Sequence, residues 1–233
     1  MTTLSILSGG AAQGLVRGLS DPFKTQTGFG IDGKFGAVGI MADKLRAGTA
    51  ADLVILTQAL LAKLAEEQLV SPASISDVGR VETALAVRSR DPRVTVKTEA
   101  DLREVLRSAD AIYVPDTKAS TAGQHVAKVL DQLGIAYEVA SHLKIFSNGA
   151  TAMRELAASS AAHPIGCTQA TEIIATDGIA LSGALPPGCE LVTMYTAGVT
   201  TRAAHPQEAA ALIALLTGAN RKGLRQRAGF TGR

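Results

Sequence analysis

The chain has 233 residues, enough for one large domain or two smaller ones with real cores. Its hydrophobic fraction of 46% and charged fraction of 19% are ordinary for a globular protein. Aromatic residues make up only 3% of the chain and the net charge is +2, which argues against nucleic acid, sugars and anionic membrane surfaces as partners.

Apolar strand patterns alternate with helical patterns through the first part of the chain. The segment 57–70 is a clear amphipathic helix, with Leu60, Leu61, Leu64 and Leu69 near one face. The composition of residues 71–79 predicts a loop. The predicted strands are 3–7, 29–35, 51–56 and 80–92, and the predicted helices are 11–28, 39–48 and 57–70.

A second alternating series begins near residue 98. Thr98 precedes acidic residues, as expected at a helix start, and Gly134 ends a later helix. The predicted segments are a helix at 98–109, a strand at 111–115, a loop and helix at 116–134, an extended segment at 136–146, a helix at 148–160 and a buried strand at 163–167. Strands that alternate with helices predict an α/β protein with a mostly parallel sheet in each half.

The N-terminal residues and the two cysteines add expectations about location and metals. "MTTLSILSGG" has no charged start, no apolar core of 7–15 residues and no small-residue cleavage site, and no apolar run could span a bilayer. We therefore expect a cytoplasmic protein without membrane insertion, or a periplasmic one if a signal peptide has been removed. Cys167 and Cys189 form no C-x-x-C pair, and no metal site or cofactor is expected.

Four small-residue turns follow predicted strands and open predicted helices. They are "LSGGAAQG" (7–14), "FGAVG" (35–39), "PDTKASTAG" (115–123) and "GCTQAT" (166–171). Open parallel sheets bind ligands at such junctions, where helix starts offer unpaired N–H groups to an anion. Each turn alone is more typical of tight packing, and Ser120, Thr121 and Thr168 are more typical of helix caps. Four in one chain favour anion binding, although none matches a P-loop or a dinucleotide fingerprint.

The order of these segments resembles the type 2 periplasmic-binding-protein fold, and within it the molybdate-binding solute-binding proteins of ABC transporters. The resemblance covers nearly the whole chain. It rests on "ADKLRAGTAADLVIL", "EEQLV", "TALAVRSRDP", "TAGQHVAKVLDQLGI", "IGCTQATEI" and the end "HPQEAAALIALLTGANRKGLRQRAGF". It implies two α/β lobes, 1–84 plus 197–233 and 85–196, that are joined by two hinge strands and close on a ligand. It also implies an ABC permease partner if the protein is exported.

The resemblance carries over only part of the oxyanion site of that family. The positions of the two serine hydroxyls fall at Gly10 and at Ala37 or Val38, so those donors are absent. The backbone contact of the third loop falls at Ala122, the contact of the fourth loop falls near Thr168, and the tyrosine of the return strand matches Tyr195. The predicted ligand-binding residues are Ser8, Gly9, Gly10, Ala11, Ala37, Val38, Gly39, Ser120, Thr121, Ala122, Thr168 and Tyr195.

The missing hydroxyls decide the expected ligand. A tetrahedral metal oxyanion needs hydrogen bonds over its whole surface, and each buried unpaired polar group costs roughly 1–3 kcal/mol. A ligand with an anionic head and an apolar or hydroxylated body suits backbone N–H groups beside Ala37 and Val38 better. We therefore expect a small organic carboxylate first, and molybdate or tungstate second.

An enzyme is the alternative, for instance an isomerase or tautomerase of an unsaturated carboxylate. Such chemistry needs an acid, a base and N–H donors for the developing enolate, and the candidates are Lys118, Cys167 and Tyr195. A lone Cys after a buried strand is more often a core residue, and Lys118 is more often solvated. The acidic residues Asp21, Asp43, Asp52 and Glu172 are expected at helix ends and on solvated faces. A purely structural or interaction role is the third alternative.

Overall fold

The computed structural model describes residues 2–232, which form two compact units. The first unit consists of residues 1–81 and 194–233, and the second consists of residues 82–193. The chain therefore passes from one unit to the other twice, within strands. The sequence places both crossings three residues further along, after residues 84 and 196.

The first unit is a layered α/β structure. Its strands are β1 (Thr3–Gly9), β2 (Gly30–Gly36), β3 (Leu53–Thr57), the first half of β4 (Ser76–Arg88) and most of β9 (Val192–Val199), and its helices are α1 (Gln13–Thr27), α2 (Val38–Arg46), α3 (Gln58–Glu66), α8 (Pro206–Thr217) and α9 (Lys222–Arg227). β1 pairs in parallel with both β2 and β3, and β3 pairs antiparallel with β9.

The core of the first unit is built on the apolar side chains of β1 and β3, which include Leu4, Ile6 and Leu7 of β1. Every residue of β3 is buried, as expected for a strand covered on both faces. Leu15, Leu19 and Phe23 of α1 pack into the same core. α1 ends where Gly28 takes a left-handed φ of 77°, and its N–H donates to the carbonyl of Lys24.

The second unit repeats the alternation of strands and helices. Its remaining elements are α4 (Glu99–Ser108), β5 (Ala111–Pro115), α5 (Thr121–Gln132), β6 (Leu143–Phe146), α6 (Gly149–Ala158), β7 (Pro164–Gln169), α7 (Ala170–Ile174) and β8 (Ile179–Ala184). β5 pairs in parallel with β6 and β7, whereas β4 pairs antiparallel with β7 and β8. The sheets are therefore parallel at their centres but mixed overall, because β4 and β9, which carry the chain across, run against their neighbours.

Two local expectations were wrong, and one strand was not predicted. The predicted loop 71–79 already contains the start of β4 at Ser76, preceded by a 3-10 turn at Pro72–Ser74. The predicted extended segment 136–146 consists of turns up to His142, with N–H groups of Val139 and His142 bonded three or four residues back, before β6 begins. No prediction covered β8, which pairs along β4.

Asp52 also differs from its prediction as a solvated residue. Its side chain is buried, and its carboxylate accepts N–H bonds of 2.9 Å from Ser5 and His205. It therefore joins the beginning of β1 to the residue that precedes α8. Within residues 2–232, no helix has the length and apolar character needed to cross a membrane.

Candidate functional site

Two strand ends meet at one edge of the first unit. β1 ends at Gly9 and continues through a 3-10 turn, Gly10–Ala12, into α1. β2 ends at Gly36, and α2 follows after Ala37. Because β1 and β2 run in parallel with Gly9 opposite Gly36, the two predicted turns that follow them lie at the same edge.

Gly9, Val38 and Tyr195 converge at this edge. A methyl group built on Gly9 would lie 2.7 Å from Cγ1 of Val38 and 3.1 Å from Cε1 of Tyr195. Tyr195 reaches this point because it pairs with Thr57 at the end of β3. Its buried ring also contacts Phe230 edge-to-face, with the ring centroids 6.4 Å apart. Only glycine fits at position 9 with this packing.

The start of α2 has no side-chain cap. Its N-cap residue is Ala37, and no described side chain accepts a hydrogen bond there. The 3-10 turn is likewise preceded by Gly9 without a side-chain cap. The Ser8 hydroxyl is buried and donates to the Gly9 carbonyl over 2.9 Å. An anion at this edge would therefore meet backbone N–H groups and a partial positive charge.

Near the start of α5 in the second unit, several backbone N–H groups are bonded to side chains of the same segment. The Asp116 carboxylate accepts N–H bonds from Lys118 at 2.7 Å and Ala119 at 2.8 Å, and these bonds hold the pKa of Asp116 below its usual range. Ser120 is the N-cap and accepts a long 3.5 Å bond from the N–H of Gly123. Ala122 is buried.

The start of α6, which we did not predict as part of the site, holds a carboxyl group of the protein itself. The Asn148 side chain accepts the N–H of Thr151 at 2.9 Å. The Glu172 carboxylate accepts hydrogen bonds from the N–H groups of Gly149, Ala150 and Gln169. Thr168, a predicted ligand residue, donates its hydroxyl to Oε2 of Glu172 over 2.6 Å.

Glu172 lies in the first turn of α7, as expected for a residue at a helix end, but the expectation of a solvated face was wrong. Glu172 is buried, and among residues 2–232 it forms no ion pair. Burial raises the pKa of its carboxyl to about 7, although the hydrogen bonds from Thr168 and the backbone lower it. The four-residue spacing from Thr168 to Glu172 after a buried strand is the sequence signal for this pair.

The three predicted catalytic candidates have different surroundings. The Cys167 thiol is in the core of the second unit, where burial raises its pKa to about 12, so it stays protonated at neutral pH. Lys118 is exposed in the loop before α5, and Tyr195 belongs to the first unit. The described residues contain no cluster of three His, Cys, Asp or Glu side chains that could hold a metal ion.

Comparison with known proteins matches this arrangement to one family. The sequence model described as "Bacterial extracellular solute-binding protein" matches residues 4–231. The chain belongs to this family. An aconitate isomerase from Pseudomonas sp. is 26% identical over 227 residues, which are 93% of this chain and 82% of that protein.

Two solved structures have the same architecture as this chain, although their sequences differ widely from it. The periplasmic molybdate-binding protein of Azotobacter vinelandii is 17% identical, with a TM-score of 0.81 over 99% of both chains. The L-phospholactate-bound PEB3, a protein of Campylobacter jejuni, is 15% identical, with a TM-score of 0.70 over 99% of this chain and 100% of its own. At these identities the likeness establishes the type 2 periplasmic-binding-protein fold.

Proposed function

We propose that this protein binds a small organic carboxylate, with one carboxylate group held by backbone N–H donors of the first unit. The observation that carries the proposal is the uncapped start of α2 beside the 3-10 turn Gly10–Ala12. Ser120, Thr121 and Ala122 are proposed ligand-binding residues of the second unit. Anion binding agrees with the family, and the relative named aconitate isomerase supports a carboxylate.

Molybdate and tungstate rank second in the proposal. The Ser8 hydroxyl donates to the Gly9 carbonyl, and Gly10, Ala37 and Val38 have no hydroxyl to offer. A buried tetrahedral oxyanion would leave some of its oxygens without donors, at roughly 1–3 kcal/mol for each unpaired group. A carboxylate presents only two oxygens, which two adjoining helix starts can satisfy.

A thermal-shift panel tests this proposal. Acetate, succinate, tricarballylate, cis- and trans-aconitate, sulfate and molybdate are compared at equal ionic strength. We expect carboxylates to raise the melting temperature, because a ligand at 100 times its Kd adds about 2.7 kcal/mol to stability. Stabilisation by molybdate or sulfate without any by carboxylates would overturn the proposal.

Isomerisation of an unsaturated carboxylate is the second candidate function. The relative named aconitate isomerase favours it, as does a buried carboxyl, Glu172, whose pKa of about 7 suits proton transfer near neutral pH. Lys118 and Tyr195 remain the proposed partners for the second proton transfer. Cys167, with a pKa near 12, suits packing better than catalysis.

Proton NMR of cis- and trans-aconitate mixed with the protein checks this second function. We expect interconversion by the native protein and its loss in Glu172→Gln, Tyr195→Phe or Lys118→Ala, with Cys167→Ala as a variant that keeps activity. A native protein that binds aconitate without interconverting it would exclude the enzyme and leave the binding function intact.

The place of this protein in the cell is a separate proposal. The matched family is described as extracellular. We propose an ABC permease as partner if the chain is exported, and a cytoplasmic location as the alternative. Fractionation of the native cells distinguishes the two locations.

A further inference from the structure

The chain contains two asparagines, and one of them, Asn148, is followed by a glycine. An Asn–Gly pair loses its side-chain amide in water more readily than other asparagine pairs, because glycine has no side chain to hinder the approach of its nitrogen. Asn148 is half-buried, and it lies between β6 and α6 of the second unit. This pair is therefore a candidate site of spontaneous chemical modification.

The reaction takes place between the backbone and the side chain of neighbouring residues. The Gly149 nitrogen loses its proton and attacks Cγ of Asn148, the bond from Cγ to Nδ2 breaks, and ammonia leaves. Water then opens the five-membered ring at one of its two carbonyl carbons, which gives aspartate or isoaspartate. Because water is the only other reactant, the rate depends on how free the Gly149 nitrogen is to lose its proton and approach Cγ.

The structure restrains both reacting groups. The N–H of Gly149 donates to the buried carboxylate of Glu172, whose negative charge opposes loss of that proton. Oδ1 of Asn148 accepts the N–H of Thr151 over 2.9 Å, and Nδ2 donates to Oγ of Ser147 over 3.2 Å. The ψ of 168° at Asn148 turns the Gly149 nitrogen out of the plane in which the ring would close. The side-chain amide is thus fixed as the cap of α6.

The same contact with Glu172 requires glycine at position 149. A methyl group there would collide with Oε2 of Glu172 and with the hydroxyl oxygen of Thr168. Asparagine at position 148 is favoured in turn, because its side chain caps a helix well. The arrangement that buries the carboxyl of Glu172 therefore both selects a reactive pair of residues and restrains it.

We propose that Asn148–Gly149 is a deamidation site that the Glu172 carboxylate keeps closed. Loss of the hydrogen bond from Gly149 to Glu172 opens the site. Aspartate at position 148 would place two carboxyl groups at the start of α6, where they repel each other, and isoaspartate would lengthen the backbone there. All of these contacts lie within the second unit, and the site is present whether or not the protein binds a carboxylate.

Incubation in mildly alkaline buffer, followed by mass spectrometry of the peptide that contains Asn148, tests the proposal. The folded native protein, folded Glu172→Ala and native protein unfolded in guanidinium chloride are sampled over several weeks. We expect the folded native protein to convert Asn148 at least tenfold more slowly than the unfolded protein. Glu172→Ala should convert it at least fivefold faster than the folded native protein, because the Gly149 N–H has lost its acceptor.

Thr168→Val is the matched control. It removes the 2.6 Å hydrogen bond to Oε2 of Glu172 and leaves the carboxylate as acceptor for the Gly149 N–H. It should therefore change the rate at Asn148 less than twofold, which separates release of the Gly149 nitrogen from a general disturbance around Glu172. Asn220, which precedes Arg221 in the first unit, should convert at the same rate in all three folded proteins.

Three results would overturn the proposal. One is conversion of Asn148 in the folded native protein as fast as in the unfolded protein. Another is an equal rate in the folded native protein and in Glu172→Ala. The third is an increase in Thr168→Val as large as that in Glu172→Ala. If Glu172→Ala does not fold, Glu172→Gln replaces it, because its amide is uncharged and keeps a single acceptor oxygen: conversion at least twofold faster supports the proposal, and an unchanged rate overturns it.

Discussion

The start of α2 in the first unit and the starts of α4, α5 and α6 in the second unit differ in how their N–H groups are satisfied. α2 begins after Ala37 without a side-chain cap. In the second unit, Thr98 and Asp101 form a capping box on α4, Ser120 caps α5, and Asn148 and Glu172 serve α6. These three helices of the second unit thus have acceptors within the protein, whereas α2 leaves donors for an external anion. The short helix α7 of the second unit begins after Gln169 and, like α2, has no side-chain cap.

This difference shows what a small-residue turn does and does not predict. The turns "FGAVG" and "SNGA" both place glycine and alanine at a helix start. The second contains the cap residue Asn148 and meets Glu172 from another helix, so the partial positive charge of its helix start is already balanced. Only the absence of nearby acceptors makes such a turn suitable for a ligand, and that absence depends on tertiary structure.

Gly149→Ala should have the largest effect on stability. The added methyl would lie 2.5 Å from the carboxyl carbon of Glu172, so the carboxyl must leave its donors in an enclosed space. We expect a loss of at least about 3 kcal/mol in the free energy of unfolding, measured by urea denaturation.

Gly183→Ala is its control, because a methyl there meets nothing within 4 Å. This control should change stability by less than about 0.5 kcal/mol. Adding Glu172→Ala to Gly149→Ala should recover part of the loss. Strict additivity of the two substitutions would contradict the proposed packing.

Glu172→Gln should change how stability depends on pH. The folded pKa of about 7 lies above the ordinary value of 4.5, so the contribution of this carboxyl is full below 4.5 and is lost as the pH rises to about 7. Relative to native protein, Glu172→Gln should therefore gain about 3 kcal/mol between pH 4.5 and pH 8. The contributions of the other carboxyl groups are the same in both proteins and cancel in the difference. If the stability of the two proteins had the same dependence on pH, Glu172 would have an ordinary pKa.

Gly9→Ala tests the anion edge of the first unit. The methyl would crowd Val38 and Tyr195, so we expect about 2 kcal/mol lower stability and at least tenfold weaker carboxylate binding. Adding Val38→Ala to Gly9→Ala should restore part of the stability and part of the carboxylate binding. Undiminished binding in a destabilised Gly9→Ala would place the anion elsewhere.

Ser120→Ala should have the smallest effect. Its 3.5 Å bond to the Gly123 N–H is long, so we expect a loss of about 0.5 kcal/mol. Thr98→Ala, which breaks the 3.1 Å bond of a full capping box, should lose about 1 kcal/mol. A larger loss in Ser120→Ala than in Thr98→Ala would contradict this order of cap strengths.

The sequence predicted the fold where local signals agree with tertiary packing. β5 has the predicted bounds Ala111–Pro115, and Thr98 caps α4 as expected. β8 was not predicted, because its half-buried residues follow no clean alternation and become a strand by pairing with β4. The composition of residues 71–79 predicts a loop, yet pairing recruits Ser76–Gly79 into β4.

Of the candidate site, the sequence predicted the helix starts but not the contacts between distant segments. The helix starts at Gly10–Ala12 and Val38 follow from a turn after a strand, which the sequence shows directly. The bonds from Gly149 to Glu172 and the pairing of Thr83 with Gln169 join segments far apart in the chain. Apart from the four-residue spacing of Thr168 and Glu172, the polar residues in these positions have no local pattern that distinguishes burial from solvent exposure.

Amide hydrogen exchange at the two kinds of helix start tests the central claim most directly. Without ligand, the amides of Gly149 and Ala150 should exchange slowly and those of Gly39 and Ile40 quickly. Saturating tricarballylate should slow exchange at Gly39 and Ile40 at least tenfold and leave Gly149 and Ala150 unchanged. If tricarballylate slowed exchange at Gly149 and Ala150 and did not change the exchange rates of Gly39 and Ile40, the claim that the first unit holds the anion would be contradicted.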